Sequence, residues 1–198
     1  MPKIKVCYFS PTGGTLQVAK HLAESMSKKL CAEVEYHSYT LPNEREVMPT
    51  FDVDDIVVWA TPVYAGRIPN KTLDYVRNAL HGNGNLSVAL VTFGNRAYDN
   101  ALAELVGLMK DGGMRPVGAA AIVTRHVFSD TLGANRPNRD DISSLEYFAT
   151  TISERIFSYS KDKDVILIAQ NKNLIIPAFN LNDLESIKNT LSDRGKHF

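Results

Sequence analysis

The chain has 198 residues, 44% of them hydrophobic and 22% charged, the make-up of an ordinary globular protein with enough length for one domain, or one domain and an extension. Lys plus Arg (22) balances Asp plus Glu (22), so there is no broad basic field to hold a nucleic-acid backbone or an anionic membrane. Two cysteines without metal-ligand spacing, an N-terminus that runs straight into a strand-like segment, and no apolar run near the ~20 residues of a membrane span point to a cytoplasmic protein with reduced thiols.

Lys3 to Phe9 is short and rich in strand formers, and Ser10-Pro11-Thr12-Gly13-Gly14-Thr15 follows it as a turn. Leu16, Ala19, Leu22, Ala23, Met26 and Leu30 then recur at helical spacing. Alternating Ala32, Val34 and Tyr36 predict a second strand, and the apolar run from Asp54 to Ala60 a third, buried on both faces. Pro69 suits the first position of a helix striped by Leu73, Val76 and Leu80. Ser87 to Phe93 reads as a strand, Tyr98 to Lys110 as a helix stopped by Asp111-Gly112-Gly113, and Pro116 to Thr124 as a strand. Within that strand the small residues Gly118 to Ala121 allow neighbouring layers to approach closely. Ile142, Leu145, Phe148, Ile152 and Ile156 stripe a last helix. Five such βα units predict a parallel sheet with helices on both faces. Residues 161–198 fall outside the repeat: Val165–Ala169 and Leu174–Ile176 form a candidate hairpin about Asn171-Lys172-Asn173, and a short helix is expected from near Asn182.

In an open α/β sheet ligands bind beyond the carboxyl ends of the strands where strand order reverses, which selects the loops after strands one, three and four. The first carries hydroxyls and glycines into a helix N-terminus, where backbone N–H groups and the helix dipole suit a phosphate. It lacks the Lys-Ser or Lys-Thr of a Walker loop and the G-x-G-x-x-G of a dinucleotide fold, and no Arg stands where a Cys-x5-Arg phosphatase starting at Cys7 needs one. The other two loops, Ala60 to Pro69 and Thr92 to Asp99, each bring an aromatic ring and a glycine to the same edge, a composition that suits a flat ligand. No Ser-His-Asp order, metal-ligand cluster or paired carboxylate is persuasive, so no catalytic residue and no metal is assigned. His126 is given no role, and Trp59, inside a strand, reads as core.

S-P-T-G-G-T, T-P-V-Y-A-G-R and F-G-N-R-A-Y-D resemble the three FMN-binding loops of the flavodoxin family, in particular a bacterial and archaeal branch whose members often carry a ferredoxin domain after the flavodoxin part. The resemblance spans residues 3 to 158. It implies a flavodoxin-like, doubly wound five-stranded parallel sheet of order 2-1-3-4-5, with an FMN-binding domain over 1–160 and a C-terminal extension over 161–198. It places the FMN phosphate on Ser10, Thr12, Gly13, Gly14 and Thr15, held by amides and hydroxyls without a basic side chain. The flavin would lie between Pro62, Val63, Tyr64, Ala65 and Gly66 on one side and Thr92, Phe93, Gly94, Asn95 and Tyr98 on the other. Arg67, Arg96 and Asp99 complete the candidate set, Asp99 as ligand contact or helix cap; an arginine near the ring would favour the anionic reduced flavin. The chain departs from that branch in having no cysteine after Cys31, so the extension holds no four-cysteine cluster and any ferredoxin or reductase is a separate redox partner. The leading expectation is an electron carrier between redox proteins; the alternatives are an NAD(P)H-dependent FMN quinone or flavin reductase and a flavin-free module on the same fold. For residues 161–198 the expectations are a cover over the flavin, an extended sheet, or a homodimer contact.

Overall fold

The structure, a computed structural model, describes residues 2–157 and the backbone of two strands at 165–169 and 174–179. The elements in chain order are β1 (Lys3–Tyr8), α1 (Gly14–Leu30), β2 (Glu33–Ser38), β3 (Ile56–Pro62), α2 (Asn70–Ala79), β4 (Leu86–Phe93), α3 (Ala101–Asp111), β5 (Arg115–Val123), α4 (Arg139–Phe157), β6 (Val165–Ala169) and β7 (Leu174–Phe179). They form one sheet of order β2-β1-β3-β4-β5-β6-β7. The pairs from β2 through β6 are parallel and only β6–β7 is antiparallel. The expected 2-1-3-4-5 order is therefore present, and the expected hairpin lies on its β5 edge as an extension of the sheet. The helix expected near Asn182 lies outside the described residues.

Side-chain alternation along the parallel strands divides the core in two. Cys7, Val57, Trp59, Ala89, Val91, Ala119 and Ala121 pack with residues of α2 and α3, whereas Ile4, Val6, Val58, Ala60, Val88, Leu90, Ala120 and Ile122 pack with α1 and α4. Strands buried on both faces read as unbroken apolar runs, which is why β3, β4 and β5 were legible. Trp59 is fully buried and donates its indole N–H to Tyr39 Oη at 2.8 Å. At Gly118 a Cβ would lie 2.3 Å from Ile152 Cδ1 and 3.0 Å from Phe148 Cζ, so that glycine lets α4 close onto the sheet.

Pro69, expected at the first position of α2, is its N-cap, and three larger differences from the sequence expectation have a cause in the structure. The five expected βα units include only four α-helical crossovers, because β2 returns to β3 through a single 3-10 turn at Pro42–Glu46. The strand expected from Asp54 begins at Ile56, since Asp55 turns its carboxylate to the backbone N–H of Lys3 (3.2 Å) and Asp52 (2.9 Å). The helix expected from Tyr98 begins at Ala101: Asp99 has φ +40° and the Asn100 N–H is drawn to Gly66 O at 3.1 Å.

Candidate functional site

The carboxyl ends of β1, β3, β4 and β5 share one rim of the sheet. The first loop there turns on Gly13, whose φ of +84° is a left-handed conformation suited to glycine. Space opens above that residue, for a Cβ on it would meet nothing within 4 Å. Leu16 N–H donates to Ser10 Oγ at 3.0 Å and Gln17 N–H to Gly13 O at 3.0 Å. The N–H groups of Thr12, Gly14 and Thr15 find no protein acceptor among the described residues. Ser10 spends a lone pair on Leu16 and keeps its O–H to donate. Thr15 is buried, its hydroxyl 2.7 Å from that of Thr92 at the end of β4.

The β3–α2 and β4–α3 loops are bound to each other. Tyr64 and Arg67 exchange backbone hydrogen bonds (3.0 and 3.1 Å) across Ala65 (φ +50°) and Gly66 (φ +76°), a tight turn with both central residues left-handed. Val63 N–H donates to Thr92 O at 2.8 Å. Asp99 lies so close over Gly66 that a Cβ there would sit 2.5 Å from Asp99 Oδ2; Asp99 thus braces the opposite loop, and the helix N-cap is Asn100. Ala65, Asn95 and Asp99 all carry positive φ, a concentration of strained backbone that is a feature of ligand-binding loops.

Arg67 leans away from the rim onto α3. Its guanidinium forms a two-nitrogen ion pair with Glu104, which also accepts the Ile68 N–H at 3.0 Å. Burial alone would raise the Glu104 carboxyl, but Arg67 and the Ile68 amide outweigh it and hold the pKa below the ordinary carboxylate value. Arg96 is exposed and pairs with no acidic side chain among the described residues. Tyr64 is 38% exposed and edge-on to Phe9 (ring centroids 6.4 Å apart), and Tyr98 is half-buried and edge-on to Phe93 (5.3 Å). Thr92 and Phe93 are buried beneath the rim.

Sequence reasoning stopped at three loops, and the fold adds a fourth. The segment after β5 reaches the rim: a Cβ on Gly14 would touch the Thr124 side chain at 3.5 Å, and one on Gly94 would collide with His126 Cδ2 at 2.4 Å. Between this segment and the first loop lies a cleft of about 440 Å³, with Thr12, Gly13 and Gly14 on one wall and Arg125, His126 and Arg136 on the other. The signal available was positional, since β5 neighbours β4 and its carboxyl end faces the same crevice.

Residues 5–111 match the family model described as a flavodoxin domain. No curated protein sequence matches the chain. Among solved structures it is similar to a flavodoxin of Streptococcus pneumonia TIGR4 (TM-score 0.54, 20% identity, covering 77% of this chain and 98% of that one). It is similar also to an NADH:FMN oxidoreductase in its apo form (0.59, 16%, 81% and 91%). A third is the rubredoxin oxygen:oxidoreductase of the anaerobe Desulfovibrio gigas (0.56, 18%), where it covers 79% of this chain and 36% of that larger one. These likenesses show the fold, and the family match over more than half the sequence settles the assignment: the chain belongs to the flavodoxin domain family.

Proposed function

We propose that this protein binds one FMN at the rim and carries electrons through it between separate redox proteins, as a cytoplasmic carrier. The observation that supports the reading best is the loop before α1. Its open glycine turn and the unspent N–H groups of Thr12, Gly14 and Thr15 form a concave set of donors at a helix N-terminus, the arrangement that holds a phosphate monoester. Ser10, Thr12, Gly13, Gly14 and Thr15 would hold the phosphate. Pro62 to Gly66 and Gly94 to Tyr98 would border the ring, with Thr92 and Phe93 as its support and Asp99 bracing Gly66. Arg67 serves through Glu104 to fix its loop, while Arg96 remains available to the flavin. When bound, FMN would supply the reversible electron chemistry; the chain would supply binding loops, orientation and local charge. Residues 1–160 form the FMN domain in this reading, with 161–198 as a C-terminal extension whose strands β6 and β7 continue the sheet.

A reductase using NADH or NADPH is the second reading, favoured by the similarity to an NADH:FMN oxidoreductase over 81% of the chain. Anaerobic mixing separates the two. The carrier reading expects FMN-loaded protein to keep its visible absorbance with NADH or NADPH and to take up electrons in two separate steps from a chemical reductant. Rapid bleaching by either nicotinamide makes it a reductase, and a spectrum with no flavin after FMN addition and gel filtration overturns both.

A further inference from the structure

We propose that the β5–α4 loop supplies a basic half to the phosphate subsite: Arg125, with Arg136 beside it, closes over the phosphate end of a flavin nucleotide seated at the α1 N-terminus. The proposal rests on the flavin reading and replaces the expectation that amides and hydroxyls act there without a basic side chain. Its ground is the cleft itself, whose one wall is the phosphate loop at Thr12, Gly13 and Gly14 and whose other wall carries Arg125 and Arg136.

The two arginines are prepared differently. Arg136 is fixed: its guanidinium forms a two-nitrogen ion pair with the buried Asp141, which also accepts the Asn138 N–H at 2.8 Å, while Asn138 Oδ1 accepts the Asp141 N–H at 3.0 Å. A guanidinium carries five N–H donors, so Arg136 keeps some of them for the cleft. Its charge is balanced by Asp141, and it orients more than it neutralises. Among the described residues Arg125 pairs with Asp130 alone, at 3.6 Å, and both side chains are largely exposed. Such a pair contributes little, so Arg125 can exchange Asp130 for a phosphate oxygen at small cost. A phosphate monoester brings nearly two negative charges, and a planar guanidinium matches two of its oxygens at once. The cleft is larger than one phosphate, so the same chemistry fits the terminal phosphate of FMN or the diphosphate of FAD.

The test is an equilibrium titration of the full chain with FMN, FAD and riboflavin, read by flavin fluorescence at several salt concentrations, for the wild type, Arg125→Ala and Arg125→Lys. Expected are a preference of the wild type for the phosphorylated flavins, a loss of about tenfold or more in their affinity for Arg125→Ala, partial recovery in Arg125→Lys, a flatter salt dependence without the arginine, and riboflavin binding unchanged throughout. FAD losing more than FMN would place the diphosphate in the cleft; FMN losing as much or more would place the monoester there. Arg136→Gln leaves Asp141 with an amide partner and is the second variant; its melting temperature shows whether the α4 start survives. Unchanged FMN and FAD affinity in Arg125→Ala, or an equal fall for riboflavin, overturns the inference while leaving the flavin reading intact. A wild type that takes none of the three overturns both.

Discussion

The two ends of the rim spend their hydrogen bonds in opposite ways. At the proposed ring end the loops satisfy each other, through Val63 N–H to Thr92 O, Asn100 N–H to Gly66 O, and Arg67 with Ile68 on Glu104. At the proposed phosphate end, N–H groups of the first turn have no protein acceptor among the described residues and guanidinium groups line the opposite wall. In the proposed reading the contrast means that one end recognises by shape and backbone and the other by charge. Damage to the first should weaken FMN and riboflavin alike, whereas damage to the second should be felt only by a phosphorylated ligand.

The largest expected effect comes where the ends meet. Gly94→Val forces a side chain into His126, whose backbone Cα stands 2.9 Å from the first added carbon. Overpacking of this kind costs about 1 to 3 kcal/mol; thermal unfolding and flavin titration should show a lower melting temperature and loss of every flavin together. Thr92→Val comes next. It leaves the buried Thr15 hydroxyl without its 2.7 Å partner, a penalty of about 1 to 3 kcal/mol, measured by denaturant unfolding.

Glu104→Gln is smaller, no more than about 1 kcal/mol because Arg67 is itself mostly exposed, and FMN and riboflavin affinity should decline in parallel. Its pH dependence is specific. A carboxyl whose folded pKa lies below its unfolded value of about 4.5 adds stability above that value and loses it as pH falls through the folded pKa. The gap in melting temperature between wild type and Glu104→Gln should therefore be full at pH 7 and close below pH 4.5. A gap that widens in acid would contradict the ion pair. The smallest effect belongs to Arg96→Ala: stability unchanged within about 0.5 kcal/mol, and a second reduction potential of bound FMN lower by at most about 40 mV, the equivalent of about 1 kcal/mol for one exposed charge. A redox titration that leaves the potential where it was would remove Arg96 from the flavin's surroundings.

What could be read from the sequence follows from range. The buried strands announce themselves because neither face meets water, and the glycine turn before α1 is a local signal with a local cause. The antiparallel pair β6 and β7 was legible from Asn171-Lys172-Asn173 between two apolar runs, whereas its place on the β5 edge is a pairing that no local pattern encodes. The delayed start of α3 has the same origin, since Asn100 is held by Gly66, 34 positions earlier. Arg67 illustrates the limit most sharply. Its position in the loop suggested the flavin, but its partner Glu104 lies 37 positions later, on α3, and holds it there. Arg125 and Arg136 stand far along the chain from Thr12, and only the closure of β5 beside β4 brings them opposite the phosphate loop.

A crystal structure of the chain grown with FMN tests the central claim most directly. The account predicts phosphate oxygens accepting the N–H groups of Thr12, Gly14 and Thr15, with the ring lying between Tyr64 and Tyr98. A rim that stays empty at saturating FMN, or that is filled by residues 161–198, would contradict it.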